Sequence, residues 1–360
     1  MSTTTTTTTT TKRTKTVLVA GANGYIGSAV CRAFVKAGWK TYGLVRNPKT
    51  TQDLALAEVI PVVGTFTDLS FLDRLYEEET KTFDVIVSTT EQVPGYLAHF
   101  KEILGLVRAV AATSKENGVK PLVLWTSGCK DYGMMHMGHG SPGLAPHTEE
   151  SPLNAPPPIL RERTENCVKI FNYKDEFDAV VLRPTTVYGY SSSYYGGILE
   201  YAASERAAGM DMLVIPGNPK SIMHGLHVDD AGEAYVSLAE HADRSAISGQ
   251  AFNISGHRYE TAQEVADALA REYGFSEGAK FVHPKEPYPP FPNGLHFVFS
   301  FSQWVSSEKL RGLTGWTDKR MLFCEGTHVY RLAFEATDRG MGSLDKARAK
   351  ERIESVLTTQ

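Results

Sequence analysis

Cysteine is scarce in this chain: Cys31, Cys129, Cys167 and Cys324 stand far apart, with no CxxC pair. That scatter excludes a disulfide framework and a thiolate-built zinc site, and it fits a reducing, cytoplasmic setting. Long apolar runs are missing too, none approaching the roughly 20 residues of a membrane-spanning helix, so no membrane partner is expected. Positive charge is nowhere concentrated. The formal net charge is -4, without a Lys/Arg block interleaved with aromatics, which excludes a polyanion-binding surface and a nucleic-acid partner. No internal repeat divides the chain. What remains is 360 residues at 42% hydrophobic and 22% charged, the balance of a globular protein with one large domain or two unequal ones.

The most informative stretch is Val17-Leu18-Val19-Ala20 running into Gly21-Ala22-Asn23-Gly24-Tyr25-Ile26-Gly27. A β-branched strand empties into three glycines spaced three apart, and helical periodicity follows at Ala29, Val30, Ala33 and Phe34. The first amides of such a helix have no internal partner and carry the positive pole of its dipole, so a pyrophosphate fits there. Gly21 permits the tight turn, Gly24 lets backbone approach phosphate, and Gly27 lets helix pack on strand. The spacing is GxxGxxG, a variant of the usual dinucleotide fingerprint.

Strand-like runs alternate with helical ones to about residue 185: Val17–Ala20, Thr41–Val45, Val59–Val63, Val85–Ser88, Leu122–Thr126 and Ala179–Leu182. The longest helical stretch, Tyr96–Asn117, ends at an Asn-Gly stop. Alternating βαβ units predict an α/β fold, a doubly wound parallel (Rossmann-type) sheet, with ligands outside the carboxyl ends of its strands. The expected division is a disordered, threonine-rich tail over 1–15 and a dinucleotide-binding domain over 16–190, with strands returning from 225–255. A smaller mixed substrate lobe over 191–345 and a C-terminal helix or tail over 346–360 complete it. Asp131–Pro158, rich in Gly, Pro, Met and His, reads as a long loop and a mobile lid. Met134, Met135, His136, Met137 and His139 within it could suit a soft metal, but the lid is preferred and no metal is expected.

Three further passages accompany the glycine turn: Leu182-Arg183-Pro184-Thr185-Thr186-Val187-Tyr188-Gly189, His227-Val228-Asp229-Asp230-Ala231, and Phe252-Asn253-Ile254-Ser255-Gly256 followed by Thr261 and Glu264, a capping box. With them the chain resembles the extended short-chain dehydrogenase/reductases, which include sugar-nucleotide epimerases and dehydratases. The resemblance implies a dinucleotide held by Gly21, Asn23, Gly24, Tyr25, Ile26 and Gly27, with Thr65 and Phe66 near adenine. It implies Ser88, Thr89 and Thr90 beside the pyrophosphate and nicotinamide ribose, and Pro184, Thr185 and Val187 as further cofactor-binding residues. It also implies a homodimer through the long fourth and fifth helices. Where NAD-preferring enzymes carry an acid after the second strand, this chain has Arg46, which suits a 2′-phosphate; NADP(H) is expected over NAD.

The resemblance fails at the chemistry. Members of that group use a Tyr-x-x-x-Lys pair, and none of the 16 tyrosines here precedes a lysine by four. If Glu165 aligns with the acid that follows the pair, Arg161 takes the lysine position and Pro157 the tyrosine position. Arg161 would then hold the nicotinamide ribose. In Thr126-Ser127-Gly128-Cys129-Lys130-Asp131-Tyr132 the polarising hydroxyl is Ser127 in one register, while another leaves Gly128 there and only backbone. The substitute proton donor is sought among Tyr132, Tyr188, His136, His139 and His224, with Tyr132 chosen, so Ser127, Tyr132 and Arg161 form the candidate catalytic set. Cys129 reads as a buried thiol, and His227 as ordering a strand-to-helix turn. Phe291, Phe297, Phe299 and Phe301 are lobe core or pocket lining. The preferred function is an NADP(H)-dependent oxidoreductase acting on a carbonyl or alcohol of a small, mainly apolar metabolite. The alternatives are a redox-neutral epimerase, isomerase or dehydratase, and a non-catalytic NADP(H) sensor.

Overall fold

A computed structural model describes residues 13–190 and 193–340. The tail over 1–15 therefore lies outside the described residues as far as residue 12, and the C-terminal segment over 346–360 lies outside them altogether. Six strands, β1 (Thr16–Ala20), β2 (Lys40–Val45), β3 (Ile60–Val63), β4 (Val85–Ser88), β5 (Leu122–Thr126) and β6 (Asp178–Pro184), alternate with five helices. These are α1 (Tyr25–Lys36), α2 (Thr51–Leu56), α3 (Phe71–Glu78), α4 (Tyr96–Glu116) and α5 (Arg161–Cys167). A seventh strand, Gln250–Ile254, closes a parallel sheet in the order β3-β2-β1-β4-β5-β6-seventh. The winding reverses between β1 and β4, which opens a crevice at their carboxyl ends.

Valine, isoleucine and leucine fill both faces of β1, β4 and β5 because each face is covered. On one side α1 and α7 (Val228–Ala239) bury Ala29, Val30, Phe34, Tyr235 and Leu238, and Gly232 lies against the backbone of Ala29, where a Cβ would come within 2.6 Å of the carbonyl oxygen. On the other side α4 buries Phe100, Ile103, Leu106 and Val110. No described helix is long and apolar enough to cross a membrane.

The lobe has its own core of Tyr195, Ile198, Leu213, Val265, Leu269 and Phe323, drawn from α6 (Tyr194–Ala207), the short strand Leu213–Pro216, α8 (Ala262–Tyr273) and the final helix. Thr261 and Glu264 cap α8 reciprocally. The loop after β5 is tied down rather than a free lid. Its Met135, His139 and His147 amides donate to the Ser302, Lys220 and Trp304 carbonyls of the lobe at 2.8–2.9 Å. Its polar main chain is satisfied by the lobe, which the sequence pattern alone does not display.

Candidate active site

At the end of β1 the chain turns through Gly21 with φ of +81°, a left-handed conformation that favours glycine. α1 then starts after Gly24, which caps it without a side chain, so its first amides face the cleft. A Cβ on Gly27 would stand 2.1 Å from the Gly21 oxygen, so the strand–helix contact admits glycine alone. Gly24, Tyr25, Ile26, Thr90, Pro184, Thr185 and Val187 line one cleft of about 240 Å3 with Thr89 and the β5 terminus. Gly21 and Gly27 shape the turn behind it, and Thr89 pins that turn by donating to the Ala20 carbonyl at 2.8 Å. Asn23 is half-buried on the turn, and Ser88 is buried, its hydroxyl 3.4 Å from that of Thr90. Arg46 is exposed just past β2, and Thr65 and Phe66 follow β3 on the same rim of the sheet. Phe66 packs edge-on against His99, whose Nε2 lies 3.0 Å from the Thr90 hydroxyl. A nicotinamide dinucleotide fits this half: an uncapped helix start, a close glycine turn, and a continuous trough beneath it.

Beyond β5 the chain enters a short 3-10 helix, Cys129–Tyr132, whose consecutive side chains point in different directions. Asp131, wholly buried, accepts from Ser127 Oγ at 2.5 Å, Thr164 Oγ1 at 2.9 Å, and Arg163 Nη2 at 2.7 Å. Arg163 also pairs with Glu91 at 2.5 Å. Burial opposes the Arg163 charge, but the two carboxylates outweigh it and hold its pKa well above the ordinary guanidinium value. Lys130, half-buried in the wall, places Nζ 2.9 Å from the Thr186 hydroxyl, with the rings of Tyr194, Phe297 and Phe301 at 5.6, 5.5 and 5.2 Å. Burial first, and then the neighbouring Arg163 charge, pull its pKa down to about 8. Gln303 from the lobe fixes this turn by donating to the Cys129 and Gly133 carbonyls.

Two of the three candidate catalytic residues are displaced. Arg161 is exposed at the start of α5 and lines no part of the cleft; Arg163, about 200° further round the helix, faces it instead. The sequence alignment on Glu165 selected the wrong helical phase. Tyr132 lies under the turn, stacked on His147 and donating to Asn253 Oδ1 at 2.8 Å, and burial raises its pKa to about 12. Ser127 does border the cleft, with its single hydroxyl hydrogen directed at Asp131, so it presents lone pairs. Of the other proton-donor candidates, Tyr188 donates to the Met321 carbonyl within the lobe core, His136 is exposed, and His139 pairs with the Tyr259 hydroxyl. His224 is buried, its Nε2 on the Gly256 carbonyl and its Nδ1 accepting from the Val305 amide. Cys129 is buried, and burial raises its thiol pKa. His227 accepts from the Asp229 amide at the start of α7, ordering that turn.

Lys130, Asp131, Arg163 and Gln303 escaped the reading of the sequence. For Lys130 a sign was present: a lysine four residues past the end of a central strand, where such sheets place their ligands. Nothing local marks Gln303, which arrives from more than 170 residues away. The aromatic segment divides: Phe291 and Phe299 are core, whereas Phe297 and Phe301 line a recess of about 20 Å3 behind Lys130, with Tyr194, Tyr195, Met223 and His224.

The sheet, its crevice and the glycine turn define a Rossmann-type fold with a cleft suited to a dinucleotide. The chain belongs to the NAD dependent epimerase/dehydratase family, which residues 17–255 match. It is 23% identical over 296 residues to UDP-glucose 4-epimerase 4 of Oryza sativa subsp. japonica, covering 72% of this chain and 77% of the relative. Among solved structures it resembles dTDP-glucose 4,6-dehydratase from Bacillus anthracis in complex with NAD, with TM-score 0.66 at 17% identity, over 91% of this chain and 98% of the other. It also resembles UDP-glucose 4-epimerase from Bifidobacterium longum in complex with NAD+ and UDP, with TM-score 0.63 at 16% identity, over 90% and 99%. At these identities the structural likenesses establish the fold.

Proposed function

We propose that this protein is an NADP(H)-dependent oxidoreductase acting on a carbonyl or alcohol of a small, mainly apolar metabolite. One observation carries the reading: the trough that suits the dinucleotide opens, at Thr186 and Lys130, onto a recess walled by Tyr194, Phe297 and Phe301. Gly24, Tyr25 and Ile26 would hold the pyrophosphate through helix-start amides. Thr90 would face the diphosphate and its neighbouring ribose, while Pro184, Thr185 and Val187 would flank the nicotinamide. Arg46, exposed at the rim with no acid beside it in sequence until Asp53, supports a 2′-phosphate. When bound, the dinucleotide supplies hydride transfer; Ile26, Pro184, Val187 and Tyr194 give the trough the apolar surface against which a small substrate would lie.

The relatives named for UDP-glucose favour a redox-neutral reaction on a sugar nucleotide. Against that reading, guanidiniums of the lobe are ion-paired: Arg258 with Glu264, Arg311 with Asp318, and Arg320 with Asp230. Calorimetry of the full chain with NADPH and NADH is the first test, repeated with Arg46→Glu. We expect NADPH to bind at least tenfold more tightly, and the variant to lose that preference; equal affinities would refute the cofactor assignment. A panel of small aromatic and aliphatic carbonyls, with UDP-glucose and UDP-galactose, is then followed by NADPH absorbance and by product NMR. Consumption of NADPH with an apolar carbonyl is the expected result. Interconversion of the UDP-sugars without net oxidation would install the redox-neutral reading, and silence with tight NADPH binding the sensor reading.

A further inference from the structure

We propose that Lys130 is the proton donor to the substrate oxygen in this cleft, and that the oxygen belongs to a small carbonyl compound seated in the trough against the Tyr194 ring. The inference rests on the oxidoreductase reading and names the residue that replaces the missing phenol.

Three observations converge on Lys130. Its position comes first: with Thr186, Tyr194 and Gln303 it borders both the dinucleotide trough and the aromatic recess, and it is the cation among these four. Next is the competition. A carbonyl oxygen needs a donor, and Ser127 offers lone pairs because Asp131 takes its hydrogen. Tyr132 donates to Asn253 below the turn, and Tyr188 to Met321 in the lobe. The Arg163 guanidinium is held by Asp131 and Glu91, and its pKa keeps it from releasing a proton. The Lys130 ammonium has three N–H groups and gives one to the Thr186 hydroxyl.

The third observation is the setting of that ammonium. Ring faces stabilise a cation less than a carboxylate partner would, and so reduce its acidity less. The charged and titratable groups around it are Arg163 from α5, Glu91 after β4, Cys129 beside it, Tyr194 and Tyr195 from α6, and His224 from the recess floor. Burial and Arg163 dominate among them, leaving a lysine that exchanges its proton near neutrality, as a general acid should.

The step balances as follows. In the direction of reduction, an N–H bond of the ammonium breaks and an O–H bond forms on the substrate. Its electrons are the carbonyl π pair, displaced as the carbonyl carbon takes hydride from the reduced nicotinamide dinucleotide, which is the species oxidised. Lys130 is left as a neutral amine on Thr186 and regains its proton from water.

The test uses the full chain with Lys130→Met and Lys130→Arg. After reductive 13C-methylation, the NMR resonance missing from the arginine variant reports Lys130 itself. We expect its midpoint near 8, against about 10.4 for an ordinary lysine. A midpoint in the ordinary range overturns the proposal whatever the kinetics show. Both variants should bind NADPH within threefold of wild type and melt at a similar temperature. With the substrate found in the panel, kcat of Lys130→Met should fall by about 100-fold or more. Wild-type kcat for reduction should decline above about pH 8, a limb absent from the variant. Arginine, which keeps the charge and not the exchangeable proton, should not rescue the rate. Retained kcat, or an unchanged alkaline limb in Lys130→Met, would sink the assignment. If wild type fails to bind NADPH, the oxidoreductase reading falls by itself, and the NMR midpoint still decides whether the amine is poised.

Discussion

Over β1 the cleft is walled by main chain, in the Gly21–Gly27 turn and the open amides of α1, whereas beyond β5 it is walled, and backed from behind, by side chains gathered from five segments. Asp131 and Lys130 come from the 3-10 turn, Arg163 and Thr164 from α5, Glu91 from the loop after β4, Thr186 from the stretch after β6, and Gln303 from the lobe. A backbone site depends on local geometry and tolerates changes elsewhere. A site of interlocked polar side chains depends on every member, because each buried group left unpaired costs a large part of its desolvation. The two halves should therefore break differently.

The largest effect is expected at Asp131. Asp131→Ala leaves Arg163 with Glu91 alone and frees the hydroxyl of Ser127 in a buried site, while Thr164 keeps its bond to the Leu160 carbonyl. A loss of about 3–5 kcal/mol follows from removing one partner of a buried ion pair. Urea unfolding followed by fluorescence measures it. A loss under about 1 kcal/mol would mean that the centre is not interlocked, and the contrast between halves would disappear.

His224 gives the substrate half a pH dependence. The unfolded chain binds this proton near 6.5, while burial in the recess floor lowers the folded value to about 4. Between these values unfolding takes up a proton, so stability falls as the solution is acidified. The contribution is complete above pH 6.5 and is lost on descending to pH 4, amounting to about 3 kcal/mol. His224→Gln, which keeps a donor and an acceptor without the titration, should flatten that part of the curve of stability against pH. Parallel curves for wild type and variant would remove His224 from the account.

These dependencies explain what could be read from the chain. Six strands and the glycine turn were legible because each is encoded within a few neighbouring residues, in β-branched runs and a spacing of three. The capping box on α8 was legible for the same reason. The catalytic half was not. Whether residue 161 or 163 faces the cleft depends on the phase of a seven-residue helix entered from a proline run, which carries too little periodicity to fix it. Tyr132 and Lys130 sit two apart on one short turn and point to opposite sides, a matter decided by Gln303, Asn253 and His147 from distant segments.

The smallest change in folding free energy, and the sharpest separation of binding from stability, is expected in the backbone half. In Gly27→Ala one methyl group must enter a contact that already brings the Gly21 carbonyl within 2.1 Å of the Cβ position, and the Thr89 hydroxyl within 2.7 Å. The turn has to open to admit it, at a cost of about 2 kcal/mol, the range for overpacking a close contact. Opening also rotates the first amides of α1 away from their common focus, so NADPH affinity should fall by more than 100-fold, out of proportion to the loss of stability. Gly105→Ala is the matched control: it lies within α4 with nothing within 4 Å of its Cβ position, and should gain about 0.5–1 kcal/mol from helix propensity while leaving NADPH binding unchanged. Calorimetry and unfolding on both variants decide the point. If Gly27→Ala bound NADPH normally, the amides of this turn could not be what holds the diphosphate, and the cleft would need another occupant.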